Sequence, residues 1–385
     1  MGTRTRSWLR RWRDDGRNGT CGRSAPKRFI ASPEAQIVAH RDRSDEIVEP
    51  LWWMTVVSVA LALVVCGIFI WANGMNPLAV YKKMVVGAFG TSFGITETLV
   101  KSIPLLLCGL GVSVAYRISV WNIGAEGQFA LGAIFATSVT IYFPEWPIYL
   151  SIPAMVVMGI LGGGLWGLLT AIPRTYFQVN ELITSLMLNY VALLLLDYFV
   201  FGPWKDPKGF NFPARRCLTM RSRCRFSAIP VFILALIFAL LAVGLYAFMI
   251  RYTRWGYELR LIGSNPEAAR NAGIRINRHI LLVMIISGGL AGLAGMSEVA
   301  GVTHRLMYGI SPGYGYTAII VAWLAKLNPV GLIVSSFLFG GLIVGGYSVQ
   351  TLGIPSSISS MLQGAILFFL IAGGTISKFR LRRSV

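Results

Sequence analysis

Long apolar runs alternate with short polar connections from residue 51 onward. The candidate helices lie at 51–73, 98–116, 122–142, 148–172, 181–202, 229–250, 280–302, 316–326, 329–348 and 355–375. A membrane crossing takes about 20 mostly apolar residues, and 316–326 has about half that length. This run is expected to be short or re-entrant, with protein or a cavity around its ends. The pattern predicts an all-α integral membrane protein, a polytopic bundle of about ten transmembrane helices.

Composition supports a membrane protein. The chain has 385 residues, of which 55% are hydrophobic and 13% charged, and its mean hydropathy is +0.63. A soluble domain carries about 25% charged residues. We therefore expect one transmembrane domain at 51–375, between basic tails at 1–50 and 376–385. The net charge of +19 could suit nucleic acid, but the basic residues lie at the ends of apolar runs. They indicate topology in a lipid bilayer and no nucleic-acid partner.

The distribution of Lys and Arg predicts that both termini are cytoplasmic. The residues expected inside are Arg117, Arg174, the cluster at 251–278, Lys326 and the basic residues of 378–383. Lys82, Lys83 and Lys101 oppose this rule but are outweighed. The segment 203–230 is expected outside, although Pro213–Phe226 is strongly basic and differs from its surroundings. Whether Pro213–Phe226 and the first part of the N-terminal tail are functional sequence stays open.

Polar side chains occur within one predicted membrane run, at Trp121–Gly132. Asn122, Glu126 and Gln128 would cost several kcal/mol at bilayer depth without a partner or a cavity. One interpretation is a substrate pathway, which needs polar groups inside the membrane. The alternative is a buried hydrogen-bonded cluster that only fixes helix packing. Spacing alone does not separate the two.

A second group of polar residues opens the run at 181–202. Asn180, Thr184 and Asn189 have approximately helical spacing and could line a cavity. We include them among the candidate pathway residues. Asn189 would lie deepest in the membrane, where a pathway or an interhelical bond is more plausible than a helix cap.

The long hydrophilic connection 251–279 contains a predicted short helix. Asn265 suits a helix cap, Pro266 the first helical position, and Glu267 the positive end of the helix. Small side chains leave one face flat, and a glycine can end the helix; the residues concerned are Ala268, Ala269, Ala272 and Gly273. The segment 265–273 could dock in a groove of a cytoplasmic partner, or it could be an ordinary connector.

The run at 280–302 carries Gly288, Gly292 and Gly295, which predict close helix packing. Glu298, near its predicted outer end, fits an exposed surface position. The sequence has no GxxxxGK[ST] phosphate loop, no HExxH and no GxSxG. Its five cysteines and three histidines form no metal-binding motif. We therefore expect no catalytic residues, no metal site and no cofactor in this chain.

The motifs together resemble the permease subunits of bacterial ABC importers for sugars, nucleosides and branched-chain amino acids. The resemblance covers about residues 51–374. Its motifs are PLLLCGLGVSVAYRISVWNIGAEGQFALGA (104–133), NELITSLMLNYVA (180–192), GSNPEAARNAGI (263–274), SGGLAGLAG (287–295) and GYGYTAIIVAWLAKLNPVG (313–331). The NIGAEGQ and NELITSLMLNY versions are most similar to the nucleoside-uptake branch.

The resemblance implies a multi-pass protein of the bacterial inner membrane that forms half of a pathway for a small polar solute. It implies a second permease subunit, an ABC ATPase subunit that binds ATP and Mg²⁺, and an external substrate-binding lipoprotein. The segment 265–273 would then couple to the ATPase. A nucleoside is the first expected solute, and a simple sugar or a branched-chain amino acid is an alternative. An ion-coupled secondary transporter, with Asp197 and Glu126 as candidate acids, is a further alternative.

Overall fold

The computed structural model describes residues 52–205, 214–216, 228–353 and 357–383. The helices are α1 (Trp52–Ala72), α2 (Pro77–Phe89), α3 (Ser92–Tyr116), α4 (Ala125–Tyr142), α5 (Ile148–Phe177), α6 (Glu181–Phe201), α7 (Ala228–Tyr252), α8 (Arg254–Ser264), α9 (Pro266–Asn271), α10 (Ile276–Glu298), α11 (Tyr314–Leu324), α12 (Pro329–Val349) and α13 (Ser357–Arg383). Short strands β1 (Ala214–Arg216) and β2 (Arg305–Met307) pair antiparallel. The predicted all-α membrane fold is confirmed, and each predicted apolar run corresponds to a helix.

Not all of the ten predicted helices, one of which is expected to be short or re-entrant, have the length and composition of a full crossing. By length and composition, six of the described helices could span a membrane, or up to seven if α1 and α2 form one span bent by 118°. α11 and the apolar part of α13 are shorter, and α4 does not qualify. α4 is too polar to qualify because Glu126 and Gln128, near its N-terminus, lower the mean hydropathy of its 18 residues.

Three Asn-Pro pairs begin helices in the same way. The side-chain oxygens of Asn76, Asn265 and Asn328 accept hydrogen bonds from the backbone N–H two residues further on, at 3.0, 3.1 and 3.2 Å. Proline suits the first helical position because its missing N–H would have no partner there. The pairs start α2, α9 and α12. The pattern that predicts α9 thus also accounts for α2, which the apolar runs do not predict.

The centre of the bundle is α10, which packs against α3, α4 and α5. Glycines let the backbones touch. A Cβ added at Gly292 would lie 2.1 Å from the carbonyl oxygen of Gly159, and one added at Gly163 would lie 2.2 Å from that of Gly288. A Cβ at Gly132 of α4 would lie 2.2 Å from the Cα of Gly292. We call this contact of α4, α5 and α10 the glycine seam. It shows the close packing that the sequence predicts for α10.

The outer helices are packed on one side only. α6 and α7 bury a minor share of their apolar windows, whereas most of α3 is buried. The outward faces of α1 and α6 are apolar, with exposed side chains such as Val64, Ile68, Ile183 and Leu194. Such faces suit lipid or another membrane protein.

Part of the unusual basic segment has a structural partner. The backbone of Ala214 lies opposite Met307, and that of Arg216 lies opposite Arg305. The rest of Pro213–Phe226 lies outside the described residues, as does the N-terminal tail up to residue 51.

Candidate functional site

Helices α4 and α11 begin at the same buried place inside the bundle. Ala125 and Tyr314, the first residues of the two helices, are fully or almost fully buried. A Cβ added at Gly315 would lie 2.3 Å from the backbone nitrogen of Glu126, so the two N-termini touch. Each N-terminus has N–H groups without helical partners and a partial positive charge. We call this place the helix junction.

Glu126 supplies the acceptors that α11 needs. It is 3% exposed, and its Oε2 accepts a hydrogen bond from the N–H of Gly315 at 2.7 Å. The Ser311 hydroxyl and the N–H of Tyr316 are further hydrogen-bond partners of this carboxylate. A carboxylate is well suited to this place because two positive helix ends meet there.

Asn189 of α6 performs the same task for α4. It is completely buried, and its Oδ1 accepts from the N–H of Gly127 at 2.9 Å. Its Nδ2 donates to the Ile123 carbonyl at 2.8 Å and to the Tyr316 hydroxyl at 3.4 Å. One side chain therefore links α4, α6 and α11.

Asn122 and Gln128 form a reciprocal pair beside the helix junction. The amide of Asn122 donates to Gln128 at 2.8 Å, and the amide of Gln128 donates back at 3.1 Å. Asn122 also donates to the Ser287 hydroxyl of α10 at 2.7 Å. The pair connects the segment before α4 to the glycine seam.

The structure thus brings together Asn122, Glu126, Gln128 and Asn189, and leaves Asn180 and Thr184 apart from them. Asn180 caps α6 by accepting from the N–H of Leu182 at an exposed position. The Thr184 hydroxyl donates to the Asn180 carbonyl. In the conformation described, the four central side chains are buried and hydrogen-bonded, as the packing alternative expects. Their role in a pathway stays a prediction.

Two clefts within the described residues are small. One is lined by apolar residues including Leu107 and Met296, the other by residues including Pro104 and Glu298. Each has about 10 Å³ of space, room for about one water molecule. Neither could hold a sugar or a nucleoside. Among the same residues, no group of three His, Cys, Asp or Glu side chains could hold a metal ion.

A buried ion pair joins α3 to α10, and sequence reasoning missed it. Glu298 is 2% exposed, which corrects its expected surface position, and its Oε1 lies 2.9 Å from Lys101 Nζ. Lys101 also lies 5.9 Å from the centre of the Tyr314 ring of α11. Lys101 opposes the charge rule for topology, and its burial beside a carboxylate explains why it is tolerated. The sequence could have indicated this pair, because a charged side chain at membrane depth needs a partner of opposite charge.

The predicted docking segment forms a helix with the expected ends. Asn265 Oδ1 accepts from the N–H groups of Glu267 and Ala268, and Gly273 has a left-handed φ of +81°. However, Ala269 is completely buried within this chain, so it packs inward and does not form a flat outer face. Glu267 is exposed and Ala268 half-buried. Docking of this segment on a partner stays a prediction.

These features define a class: a helical membrane protein in which short helices start inside the bundle and are capped by side chains of other helices. The chain belongs to the family described as "Branched-chain amino acid transport system / permease component", which it matches over residues 94–371. It is therefore a multi-pass ABC transporter permease subunit, a transport component.

Relatives support this assignment along most of the chain. The chain is similar to the glucose ABC transporter permease protein TsgB13 of Haloferax volcanii, at 34% identity over 84% of this chain and 88% of that protein. It is similar to the guanosine ABC transporter permease protein NupP of Bacillus subtilis, at 30% identity over 83% of this chain and 93% of that protein. The nucleoside ABC transporter permease protein NupB of Lactococcus lactis subsp. cremoris is 28% identical to this chain over 82% of this chain and 89% of that protein.

Proposed function

We propose that this permease subunit forms half of the translocation pathway for a nucleoside in an ABC importer. The observation that carries the proposal is its similarity, over more than four fifths of its length, to a guanosine permease and a nucleoside permease. The motifs NIGAEGQ and NELITSLMLNY point to the same branch. The glucose permease relative makes a simple sugar the second candidate, and the family description leaves a branched-chain amino acid as the third.

A second permease subunit would complete the pathway. Neither of the two clefts described above could hold a solute. We propose the face formed by α6 and α11, where Tyr190 is 58% and Tyr316 38% exposed. Tyr190 lies halfway along α6. A hydroxyl facing lipid at that depth would be unfavourable, whereas tyrosine rings facing a cavity could stack on a nucleobase.

The candidate pathway residues take two roles in this proposal. Thr184 and Asn180 lie on the same helix as Tyr190 and could contact the solute nearer the α6 N-terminus. Asn122, Glu126, Gln128 and Asn189 lie behind this face and hold α4, α6 and α11 in position. The hydrogen bond from Asn189 to the Tyr316 hydroxyl joins the two groups.

The remaining parts of the importer would be separate chains. An ABC ATPase subunit would bind ATP and Mg²⁺ and dock at 265–273, and an external binding lipoprotein would deliver the solute. We propose that both termini are cytoplasmic in a bacterial inner membrane, since the Lys and Arg residues around 251–278 favour that side.

An ion-coupled transporter is the alternative mechanism, and its candidate acids fit it unequally. Glu126 is bound by the backbone N–H groups of Gly315 and Tyr316 and by the Ser311 hydroxyl. Asp197 is half-buried on α6 and is the better candidate for proton or sodium coupling.

Proteoliposomes would test the proposed function. They should contain this chain, its ATPase and its second permease, with the binding lipoprotein outside. We expect uptake of labelled guanosine that requires ATP and is lost when the phosphate-loop lysine of the ATPase is replaced. Faster uptake of glucose than of guanosine would contradict the nucleoside assignment. Uptake driven by a proton or sodium gradient without ATP would contradict the ABC mechanism.

A further inference from the structure

Arg117 connects three parts of the chain at the end of the bundle opposite the start of α11. It directly follows α3 and is half-buried. Its Nη2 donates to the Leu327 carbonyl at 2.9 Å, and its Nε donates to the Tyr246 hydroxyl at 3.3 Å. Tyr246 of α7 in turn donates to the same Leu327 carbonyl at 3.2 Å. One carbonyl is therefore held by two side chains from different helices.

The turn that these side chains hold comes directly after α11. Lys326 and Leu327 both have left-handed backbones, with φ values of +50° and +58°, which residues other than glycine seldom adopt. Just before this turn, the ring of Trp323 stacks on that of Trp121, with 5.5 Å between the ring centres, and packs against that of Tyr116 at 5.6 Å. The C-terminal end of α11 is thus fixed to the end of α3 by ring packing and by hydrogen bonds.

The carbonyl oxygen of Arg117 touches the segment that leads into α9. A Cβ added at Gly263 would lie 2.0 Å from this oxygen, so only glycine fits there. The hydroxyl of Ser119 donates to the Gly263 carbonyl at 3.5 Å. Gly263 is two residues before the Asn265 cap. Glu258 of α8 also contacts α10, with its Oε2 2.8 Å from the Nε2 of His279. A displacement of α8 and α9 would therefore act directly on Arg117.

We propose that Arg117 is the positioning residue that transmits movement of the segment 265–273 to α11. At the far end of α11, the N–H of Gly315 donates to Glu126, so the movement would reach the helix junction. α11 has 11 residues, a rigid rod of about 16 Å. This inference rests on the proposed docking of an ATPase at 265–273.

The chemistry of arginine suits this role. Its planar guanidinium presents several N–H donors in a fixed geometry, so Arg117 can hold the Leu327 carbonyl and the Tyr246 hydroxyl together. A lysine ammonium has no such planar fork. We therefore expect the Arg117→Lys variant to assemble normally but to take up less solute per ATP hydrolysed than the wild type.

The test compares uptake with ATP hydrolysis in the reconstituted importer. Arg117→Met should still co-purify with the ATPase and hydrolyse ATP, but solute uptake per ATP should fall at least tenfold. Arg117→Lys should also assemble and should show an intermediate loss of uptake per ATP. Tyr246→Phe should show a smaller loss, and Arg278→Met, an exposed arginine on α10, should behave as wild type.

The outcomes separate the inference from the proposed function. Unchanged uptake per ATP in Arg117→Met would overturn the role of Arg117. If that variant does not assemble, unchanged uptake per ATP in both Tyr246→Phe and Arg117→Lys would overturn it. If the wild-type chain fails to associate with an ATPase, the proposed function itself is wrong.

Discussion

The glycine seam and the helix junction hold the same helix, α4, in different ways. In the seam, Gly132 touches Gly292, and α5 and α10 touch through Gly163 and Gly288. Backbone meets backbone there, without side chains between. At the junction, the N-termini of α4 and α11 are held by side-chain acceptors: Glu126 accepts a hydrogen bond from the N–H of Gly315, and Asn189 accepts one from the N–H of Gly127.

The difference indicates which region can change during transport. Packed backbones have no alternative arrangement at small cost, because every atom already has a neighbour. A hydrogen bond contributes about 0.5–1.5 kcal/mol, or about 1.5–3 kcal/mol when one partner is charged, and it can be exchanged for another. We therefore infer that the seam moves as one body and that the junction rearranges. The predictions below test this difference.

The largest effect is expected in the seam. Gly292→Leu would place a side chain where the Gly159 carbonyl lies, and overpacking of a core by even small groups costs about 1–3 kcal/mol. Because the obstacle is backbone, we expect a higher cost and no monodisperse protein in detergent. Gly244→Leu in α7 is the matched control, since no atom lies within 4 Å of a Cβ there. Equal yields of the two variants would contradict the seam.

A smaller loss is expected from the buried ion pair between α3 and α10. Lys101→Met leaves the buried carboxylate of Glu298 without its cation, and breaking a buried pair on one side costs about 3–5 kcal/mol. Lys101 keeps some exposure, so we expect about 3 kcal/mol in denaturant titrations. The double variant Lys101→Met/Glu298→Gln should recover part of this loss. No recovery would mean that packing and not charge is responsible.

At the junction, replacement of Glu126 should separate stability from transport. Glu126→Ala leaves the N–H of Gly315 buried without an acceptor, at a cost of about 1–3 kcal/mol in the free energy of unfolding. The protein should still assemble but lose most uptake. Glu126→Gln keeps a hydrogen-bond acceptor, so it should retain more of the stability and more of the uptake than Glu126→Ala. Wild-type uptake by Glu126→Ala would show that the junction does not matter for transport.

The smallest effect is expected at the start of α9. Asn265→Ala removes the acceptor for two backbone N–H groups, and loss of such a cap costs about 1 kcal/mol. Thermal unfolding of the purified chain should change little, whereas co-purification of the ATPase should weaken. The matched control is Asn76→Ala, which removes the equivalent cap of α2. If both variants bind the ATPase equally well, the segment 265–273 is only a connector.

Much of the fold could be predicted from local patterns, whereas the site depends on long-range contacts. Apolar runs locate ten of the helices, and Asn265-Pro266 predicts α9; the same reasoning at Asn76-Pro77 would have predicted α2. The polarity of Glu126 and Asn189 shows that they need partners. It cannot show that the partners are the free N–H groups of helices that begin inside the bundle. The pairing of Lys101 with Glu298 and the inward position of Ala269 likewise depend on tertiary packing.

Distance measurements between spin labels test most directly whether the junction moves and the seam does not. One pair would be placed at Met187 and Ile319, across α6 and α11, and the other at Ile160 and Ile285, across α5 and α10. Both pairs require a background without the native cysteines. In the importer trapped with ATP and vanadate, we expect the first distance distribution to shift by several ångströms and the second to stay unchanged. A shift between α5 and α10 with none between α6 and α11 would contradict the account.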